Sequence, residues 1–180
     1  LWFGSTGLLH KGLDIVIEAF KQRPDLTLHV CGASENEEKF YEYYKEELNN
    51  QVPNIINHGF VNLESDEFKD VMNTCFALIY PSESEGGSPA ALNVMANGGL
   101  IPVVSKQSGI DIDEFGFYFN ENTVGGVIEQ LEMLDKLDVN SIIELSCKTK
   151  DIVRKDYSYK NYKKSLKEII KSTIESKVKN

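Results

Sequence analysis

Short apolar segments alternate with amphipathic helical patterns as far as residue 119, and no other feature constrains the fold as strongly. The first helix is the clearest, because Leu13, Val16, Ile17 and Phe20 recur at the spacing that lines one helix face. Further helices are predicted over residues 35–49, 65–73 and 89–97, between strands at 1–3, 26–31, 55–61, 76–80, 101–105 and 115–119. Repeated β-α units of this kind predict an α/β fold: a Rossmann-like parallel sheet of about six strands flanked by helices.

Beyond residue 122 the pattern becomes entirely helical, with helices predicted over residues 123–137, 139–155 and 158–177. The last of them carries five apolar residues at helical spacing: Tyr162, Leu166, Ile169, Ile170 and Ile174. A chain of 180 residues without a linker predicts a single domain over 1–180, with 123–180 as its helical tail. Because Leu1 is not a Met and already lies in a predicted strand, we expect a fragment whose missing part is N-terminal.

The net charge of −9 is unevenly distributed. Eleven of the 19 Lys and Arg residues lie from Lys148 onward, beside four acidic residues, so the rest of the chain is strongly acidic. An acidic body argues against a nucleic-acid partner, whereas the basic last helix predicts contact with an acidic partner domain or an anionic membrane surface. A merely solvated helix face would have the same composition.

Composition also bears on location and on metals. No apolar run approaches the roughly 18 residues of a membrane-spanning helix, and no signal peptide is recognisable, so we expect a cytoplasmic protein that can be peripheral at the inner membrane face. Three widely spaced cysteines in apolar or helical surroundings are typical of reduced thiols: Cys31, Cys75 and Cys147. Neither they nor the three histidines have ligand spacing, so we expect no metal site and no cofactor.

The first segment with candidate chemistry follows the first predicted strand and runs from Gly4 to Gly12 with the sequence GSTGLLHKG. In an open parallel sheet, ligands bind beyond the carboxyl ends of the strands. Glycines permit close approach, hydroxyls and N–H groups can hold phosphate oxygens, and Lys11 offers a mobile positive charge. The segment matches neither G-x-G-x-x-G nor the P-loop, which disfavours nicotinamide and ordinary triphosphate binding. A tight turn with Lys11 in solvent remains the alternative.

The second segment is PSESEGGSPAALN, residues 81–93, which follows the predicted strand 76–80. Ser88 is a good N-cap and Pro89 suits the first helical position, so a helix should begin there with uncovered N–H groups at Gly86 and Gly87. That helix end favours an anion, while Glu85 beside it can accept hydrogen bonds from hydroxyls. A sugar nucleotide carries both groups. The alternative is that Glu85 only stabilises the helix end, by ~0.3–1 kcal/mol.

These residues resemble a known family when they are read in order with several others. The chain carries FGSTGLLHKGLD followed by EAF, then LHVCG, HGFV, PSESEG, MANG and IPVVS. The same succession is found in the C-terminal domain of glycosyltransferase family four, also called glycosyl transferases group 1. Those enzymes have the GT-B fold, in which two Rossmann-like domains face each other across a cleft. The resemblance extends to about residue 119.

The resemblance implies metal-independent transfer of a sugar from a nucleotide donor to a glycan or lipid-linked acceptor, with the anomeric configuration retained. The donor would bind to this half, and the acceptor mostly to the absent N-terminal half. Lys11 would neutralise the departing diphosphate, and Glu85 would hold hydroxyls of the donor sugar. Further donor contacts would come from six other positions and from the backbone near the base: Gly4, Ser5, Thr6, Gly86, Gly87, Ser88 and Phe60.

Two positions depart from the family pattern. The second family glutamate, which usually binds the ribose, falls on Asn93, and an arginine five residues before the lysine falls on Thr6. Asn93 can still hydrogen-bond a hydroxyl but brings no charge, and Thr6 removes one positive charge expected near the diphosphate. These losses permit a second interpretation, a non-catalytic sugar-nucleotide-binding or scaffold domain.

Three other functions are alternatives to a glycosyltransferase of family four. A nucleotide-sugar epimerase shares the GT-B architecture but needs an acid and a base that this half does not reveal. A phospho-acceptor receiver domain needs acidic residues where the first strand ends in Phe3. The D-x-D sequence at Asp111 and Asp113 matches the metal motif of the other large glycosyltransferase fold, but it follows the fifth strand without a further paired carboxylate. We therefore predict that both aspartates are solvated.

Overall fold

The computed structural model describes residues 1–32 and 36–178, and within them it contains six strands and eight α-helices. The strands are Trp2–Phe3 (β1), Leu28–Cys31 (β2), Ile55–Asn57 (β3), Ala77–Tyr80 (β4), Ile101–Val104 (β5) and Phe117–Tyr118 (β6). The helices are Leu13–Lys21 (α1), Glu38–Tyr43 (α2), Lys45–Leu48 (α3), Asp66–Thr74 (α4), Pro89–Gly98 (α5), Val124–Leu134 (α6), Val139–Asp156 (α7) and Tyr159–Val178 (α8). A short 3-10 turn spans Lys106–Ser108.

All strand pairs are parallel, in two three-stranded groups ordered β1-β2-β3 and β4-β5-β6. Leu1 joins the groups, because its nitrogen donates to the Ala77 carbonyl (2.9 Å) and its carbonyl accepts from the Ile79 N–H (2.8 Å). The order across the molecule is therefore β3-β2-β1-β4-β5-β6, the Rossmann arrangement that reverses direction between β1 and β4. The predicted α/β fold with a parallel sheet and flanking helices is confirmed.

The core lies between the sheet and its helices. Trp2 and Tyr80 are completely buried, as are Leu28, Ile55, Leu78 and Ile101 from neighbouring strands. Helix α1 buries the predicted face of Leu13, Val16, Ile17 and Phe20. Strands buried on both faces contain continuous apolar runs, which is why the sequence reads as short apolar segments without alternation.

The boundaries differ from the prediction where local geometry ends an element. Strand β3 stops at Asn57, whose side-chain oxygen accepts from the Gly59 N–H (3.0 Å) and turns the chain. The helix predicted over 35–49 is two helices separated at Tyr44, which is buried against Phe40 with ring centroids 4.8 Å apart. Residue 35 lies outside the described residues.

The predicted helical tail divides into two parts. Helix α6 packs against α1, and α7 packs against α5, so both belong to the layer that covers the sheet. Helix α8 contacts α7 but exposes its apolar residues by 42–62%: Tyr162, Leu166, Ile169, Ile170 and Ile174. Among the described helices, none is both long enough and apolar enough to cross a membrane.

Candidate functional site

Two loops meet at the carboxyl edge of the sheet, where the strand order reverses. The first loop (residues 4–12) follows β1, and the second loop (residues 81–88) follows the neighbouring strand β4. The Glu83 N–H donates to the His10 carbonyl (2.8 Å), and the His10 ring nitrogen Nε2 lies 2.9 Å from the Ser84 carbonyl. The fold therefore brings together the two segments that the sequence predicts to bind a ligand.

The Glu85 carboxylate lies at the centre of this contact. Its Oε1 atom lies 3.8 Å from the Lys11 Nζ and 3.9 Å from the His10 Nε2, and it accepts a hydrogen bond from the Tyr80 hydroxyl (2.9 Å). The side chains of Lys11 and Glu85 are only 13% and 17% exposed. Lys11 also donates to the Thr6 carbonyl (2.5 Å). The two residues predicted to carry the chemistry therefore form one ion pair where the two loops meet.

The second loop ends in the predicted helix start. Ser88 caps α5 by accepting from the Ala91 N–H (3.5 Å), and Pro89 is the first helical residue. Among the described residues, no heavy atom lies within 4 Å of where a Cβ on Gly86 would be, and the nearest to Gly87 is at 4.0 Å. The second loop is therefore open on the side of Gly86, whereas the Gly109 backbone packs against Gly87. The positive end of α5 lies beside this open side, and a helix N-terminus suits an anion.

The first loop is arranged differently from the prediction. The N–H groups of Gly7 and Leu8 donate to the Glu37 carboxylate at 2.5 and 3.1 Å, and the Gly4 N–H donates to the Cys31 carbonyl (3.0 Å). These N–H groups, which the sequence suggested for phosphate oxygens, are therefore engaged within the chain. Glu37 lies 30 positions from Gly7, and no local signal in the sequence connects them.

Four other predicted residues line a groove beside β1: Gly4, Ser5, Phe60 and Asn93. The groove has a volume of about 630 Å³, and the Phe60 side chain stands 86% exposed at its wall. Asn93 lies one turn into α5, where its Nδ2 donates to the Pro89 carbonyl (2.9 Å). An exposed aromatic ring and an amide in one groove can bind a flat polar ring such as a nucleobase and the sugar attached to it.

Sequence reasoning missed Tyr80, which it read only as the last residue of a core strand. Tyr80 is fully buried, and burial together with the neighbouring Glu85 carboxylate raises the pKa of its phenol well above the usual value. The hydroxyl therefore stays protonated as a hydrogen-bond donor to Glu85 at physiological pH.

The remaining candidates lie away from this centre. The Asp111 N–H lies 3.2 Å from the Tyr157 hydroxyl, and in the described part of the chain no three His, Cys, Asp or Glu side chains are grouped as metal ligands. All three cysteines are free thiols, and burial raises the pKa of Cys31 to about 12. His29 and His58 stack on one another, with 2.9 Å between ring nitrogens.

Comparisons with known proteins agree with this geometry. The family model described as "Glycosyl transferases group 1" matches residues 5–115. By sequence, no curated protein matches the chain. Among solved structures, HepE of Anabaena in complex with UDP and glucose superposes with a TM-score of 0.74 at 17% identity, covering 95% of this chain and 47% of HepE. The chain thus spans about half the length of HepE.

Two further structures are similar. The C-terminal domain of LpcC, a glycosyl transferase group 1 protein of Francisella tularensis, has a TM-score of 0.64 at 21% identity, covering 88% of this chain and 83% of that domain. The catalytic domain of starch synthase IV of Arabidopsis thaliana, bound to ADP and acarbose, has a TM-score of 0.67 at 18% identity, covering 92% and 36%. The chain therefore belongs to the glycosyl transferases group 1 family, and its fold is that of the C-terminal domain of a GT-B glycosyltransferase.

Proposed function

We propose that the chain is the donor-binding half of a retaining glycosyltransferase of hexosyltransferase type. It would bind a nucleoside-diphosphate sugar for transfer to a glycan or lipid-linked acceptor, which a second, N-terminal half would hold. The observation that supports this proposal is the largely buried ion pair of Lys11 and Glu85, which lies beside the open side of Gly86 at the start of α5. One side of that pair suits phosphate, and the other suits hydroxyl groups.

The diphosphate would lie between Lys11 and the N-terminus of α5. When the bond to the sugar breaks, negative charge develops on the departing phosphate oxygen. A lysine with 13% exposure and a fixed helix end stabilise that charge without reorganising in the transition state. The proposal assigns this neutralisation to Lys11 and to the N–H groups of Gly86, Gly87 and Ser88, with neither a metal nor a cofactor.

The donor sugar would lie against Glu85. The contacts of Glu85 with Tyr80, Lys11 and His10 all involve Oε1, so Oε2 is the oxygen that would accept a sugar hydroxyl. Hydrogen bonds between an ionised carboxylate and a hydroxyl are short and strong, which makes them suitable for selecting one sugar orientation. Glu85 would therefore bind the sugar hydroxyls, while Lys11 would bind the phosphates.

The base and ribose would occupy the groove lined by Phe60 and Asn93. Phe60 offers an exposed ring at the wall, and Ser5 and Thr6 lie at the exposed mouth of the first loop. Because the Asn93 Nδ2 is committed to Pro89, the amide offers its oxygen to one ribose hydroxyl. HepE in complexes with UDP-glucose and starch synthase IV with ADP support a nucleotide ligand for this fold.

The same proposal includes a cytoplasmic location and a role for α8. This helix combines exposed apolar residues with lysines, which fits either an acidic surface of the N-terminal half or the anionic inner face of a membrane. Involvement in polysaccharide biosynthesis is part of the proposal and rests on the family resemblance.

A non-catalytic sugar-nucleotide-binding or scaffold domain is the second candidate, favoured by Thr6 and Asn93. Where the family pattern has an arginine, Thr6 presents its carbonyl to Lys11, so the site has one side-chain cation fewer for the diphosphate. Such a domain would bind the donor without supporting transfer.

Calorimetry with UDP-, GDP- and ADP-sugars tests the proposal, with the matching nucleoside monophosphates and free glucose as controls. We expect weak binding of one nucleotide sugar by this chain and no transfer by it alone. Transfer by the longer protein, with the product anomer identified by proton NMR as retained, would distinguish an enzyme from a binding domain. Binding of none of the nucleotide sugars would overturn both.

A further inference from the structure

Tyr80 ends strand β4 directly beneath the second loop and has no exposed surface. Its ring packs near Trp2, with centroids 6.4 Å apart, and its hydroxyl donates to the Glu85 Oε1 at 2.9 Å. A buried aromatic residue at the end of a central strand is held rigidly on all sides. The position of the hydroxyl is therefore fixed, and its hydrogen bond can hold the Glu85 side chain of the second loop in one orientation.

We propose that Tyr80 is a positioning residue that sets which carboxylate oxygen of Glu85 faces the donor sugar. The inference rests on the proposed function, since it concerns the same site. By binding Oε1 from below, the Tyr80 hydroxyl fixes the carboxylate plane and leaves Oε2 toward the cleft. Tyr80 itself does not touch the ligand.

The other contacts of Glu85 do not replace this hydrogen bond. The Lys11 and His10 nitrogens lie 3.8 and 3.9 Å from Oε1, beyond hydrogen-bonding distance, and the His10 side chain is 51% exposed. The Glu85 N–H donates to the Gln107 carbonyl (2.9 Å), which fixes the backbone but not the side-chain torsions. Of these contacts, the phenol alone has both a hydrogen-bond distance to the carboxylate and a completely buried donor.

The hydrogen bond from Tyr80 should affect binding of a nucleotide sugar and of a nucleoside diphosphate to different extents. The Tyr80 hydroxyl also forms hydrogen bonds with the side chains of Ser82 and Ser88. Tyr80→Phe leaves Lys11 and the hydrogen bond from the Ala91 N–H to Ser88 in place, so binding of the diphosphate should persist. The main loss should be the alignment of Glu85 with the sugar. The substitution should therefore weaken binding of a nucleotide sugar more than binding of the corresponding nucleoside diphosphate, which distinguishes positioning from a general loss of packing.

The test is a double-mutant cycle measured by calorimetry with UDP-glucose and UDP, or with the GDP or ADP pair if that is the one the parent chain binds. Tyr80→Phe should weaken binding of the sugar nucleotide about fivefold and binding of the nucleoside diphosphate less than about twofold. In the Glu85→Ala background, which has no acceptor for the phenol, the same substitution should add less than about twofold. Tyr118→Phe is the control, because its hydroxyl contacts the backbone of Ile110 and Ile112 and not Glu85.

Equal losses of both ligands on Tyr80→Phe, or effects of Tyr80→Phe and Glu85→Ala that multiply, would overturn the positioning role alone. Failure of the parent chain to bind any of the ligands would overturn the proposed function and the positioning role with it.

Discussion

The first and second loops follow neighbouring strands and meet at the same edge of the sheet, yet they are stabilised in opposite ways. The N–H groups of the first loop are satisfied within the chain, because the Glu37 carboxylate accepts hydrogen bonds from Gly7 and Leu8. The second loop is held from below by Tyr80 and Gln107, and the space over Gly86 is open. The Glu37 carboxylate therefore occupies the N–H groups of the first loop, whereas the second loop leaves space for the anion of a ligand.

This difference assigns separate tasks to two segments that look equivalent in the sequence. Under the proposed function, the first loop is a rigid support that positions Lys11, and its Gly7 and Leu8 N–H groups are not the phosphate site. The second loop and the start of α5 would form the part that contacts the ligand. Substitutions that probe packing should therefore have large effects around the first loop and small effects in the second.

The largest expected effect is on folding, from Gly32→Ala. Gly32 has φ of 85°, and a Cβ there would lie 1.7 Å from the Gly4 carbonyl oxygen of the first loop. Backbone strain and the clash together should lower the free energy of unfolding by about 3 kcal/mol. Gly86→Ala, placed in the open second loop, should change it by less than about 1 kcal/mol. Urea unfolding of both variants measures the contrast, and similar losses in both would contradict it.

The next largest effect is on ligand binding, from Lys11→Ala. Removing a charge-assisted contact to phosphate should weaken nucleoside-diphosphate affinity by about tenfold or more. Lys69→Ala is the matched control, because Lys69 is paired with Asp66 at the surface of α4 and is 65% exposed. Calorimetry measures the nucleoside-diphosphate affinity of both variants. Equal affinities of the parent and Lys11→Ala would show that Lys11 does not contact the ligand.

Glu37→Gln tests whether the first loop is support or ligand site. Losing the charge that holds the Gly7 and Leu8 N–H groups should reduce the free energy of unfolding by about 1 kcal/mol and leave nucleotide affinity within about twofold. Glu38→Gln, at the exposed neighbouring position, should change neither. Tighter nucleotide binding by Glu37→Gln would show instead that Glu37 competes with the phosphate for the first loop.

The smallest expected effect comes from Asn93→Glu, which restores the carboxylate of the family pattern in the groove. A charged acceptor for ribose hydroxyls should tighten nucleotide binding about threefold. Asn97→Glu adds the same charge one turn further along α5, where the side chain is exposed, and should not tighten binding. No change at Asn93, or an equal change at both positions, would count against a ribose contact in the groove.

Local chemistry made part of this site predictable from the sequence. Ser88 and Pro89 begin α5 because capping and proline preferences act on adjacent residues, and the meeting of Lys11 with Glu85 follows from the order of the strands that carry their loops. Helix α1 was similarly predictable, since one buried face has a fixed period.

The remaining features depend on contacts that are distant in the sequence. The bond from Gly7 to Glu37 requires α2 to lie over the first loop, and the role of Tyr80 depends on the path of the loop above it. The break between α2 and α3 lies at Tyr44, where the backbone leaves the helical conformation (φ −103°, ψ 32°), although residues 38–48 contain no proline or glycine that would predict it. No pattern within a few residues encodes such choices.

A map of amide NMR shifts on addition of the nucleoside diphosphate that binds in calorimetry tests directly whether the second loop and the start of α5 bind the phosphates. We expect the largest shifts at Gly86, Gly87 and Ser88, with smaller ones at Lys11 and Asn93. Shifts concentrated at the opposite edge of the sheet, around Thr27 and Cys75, or at Gly7 and Leu8 with the second loop unchanged, would contradict it.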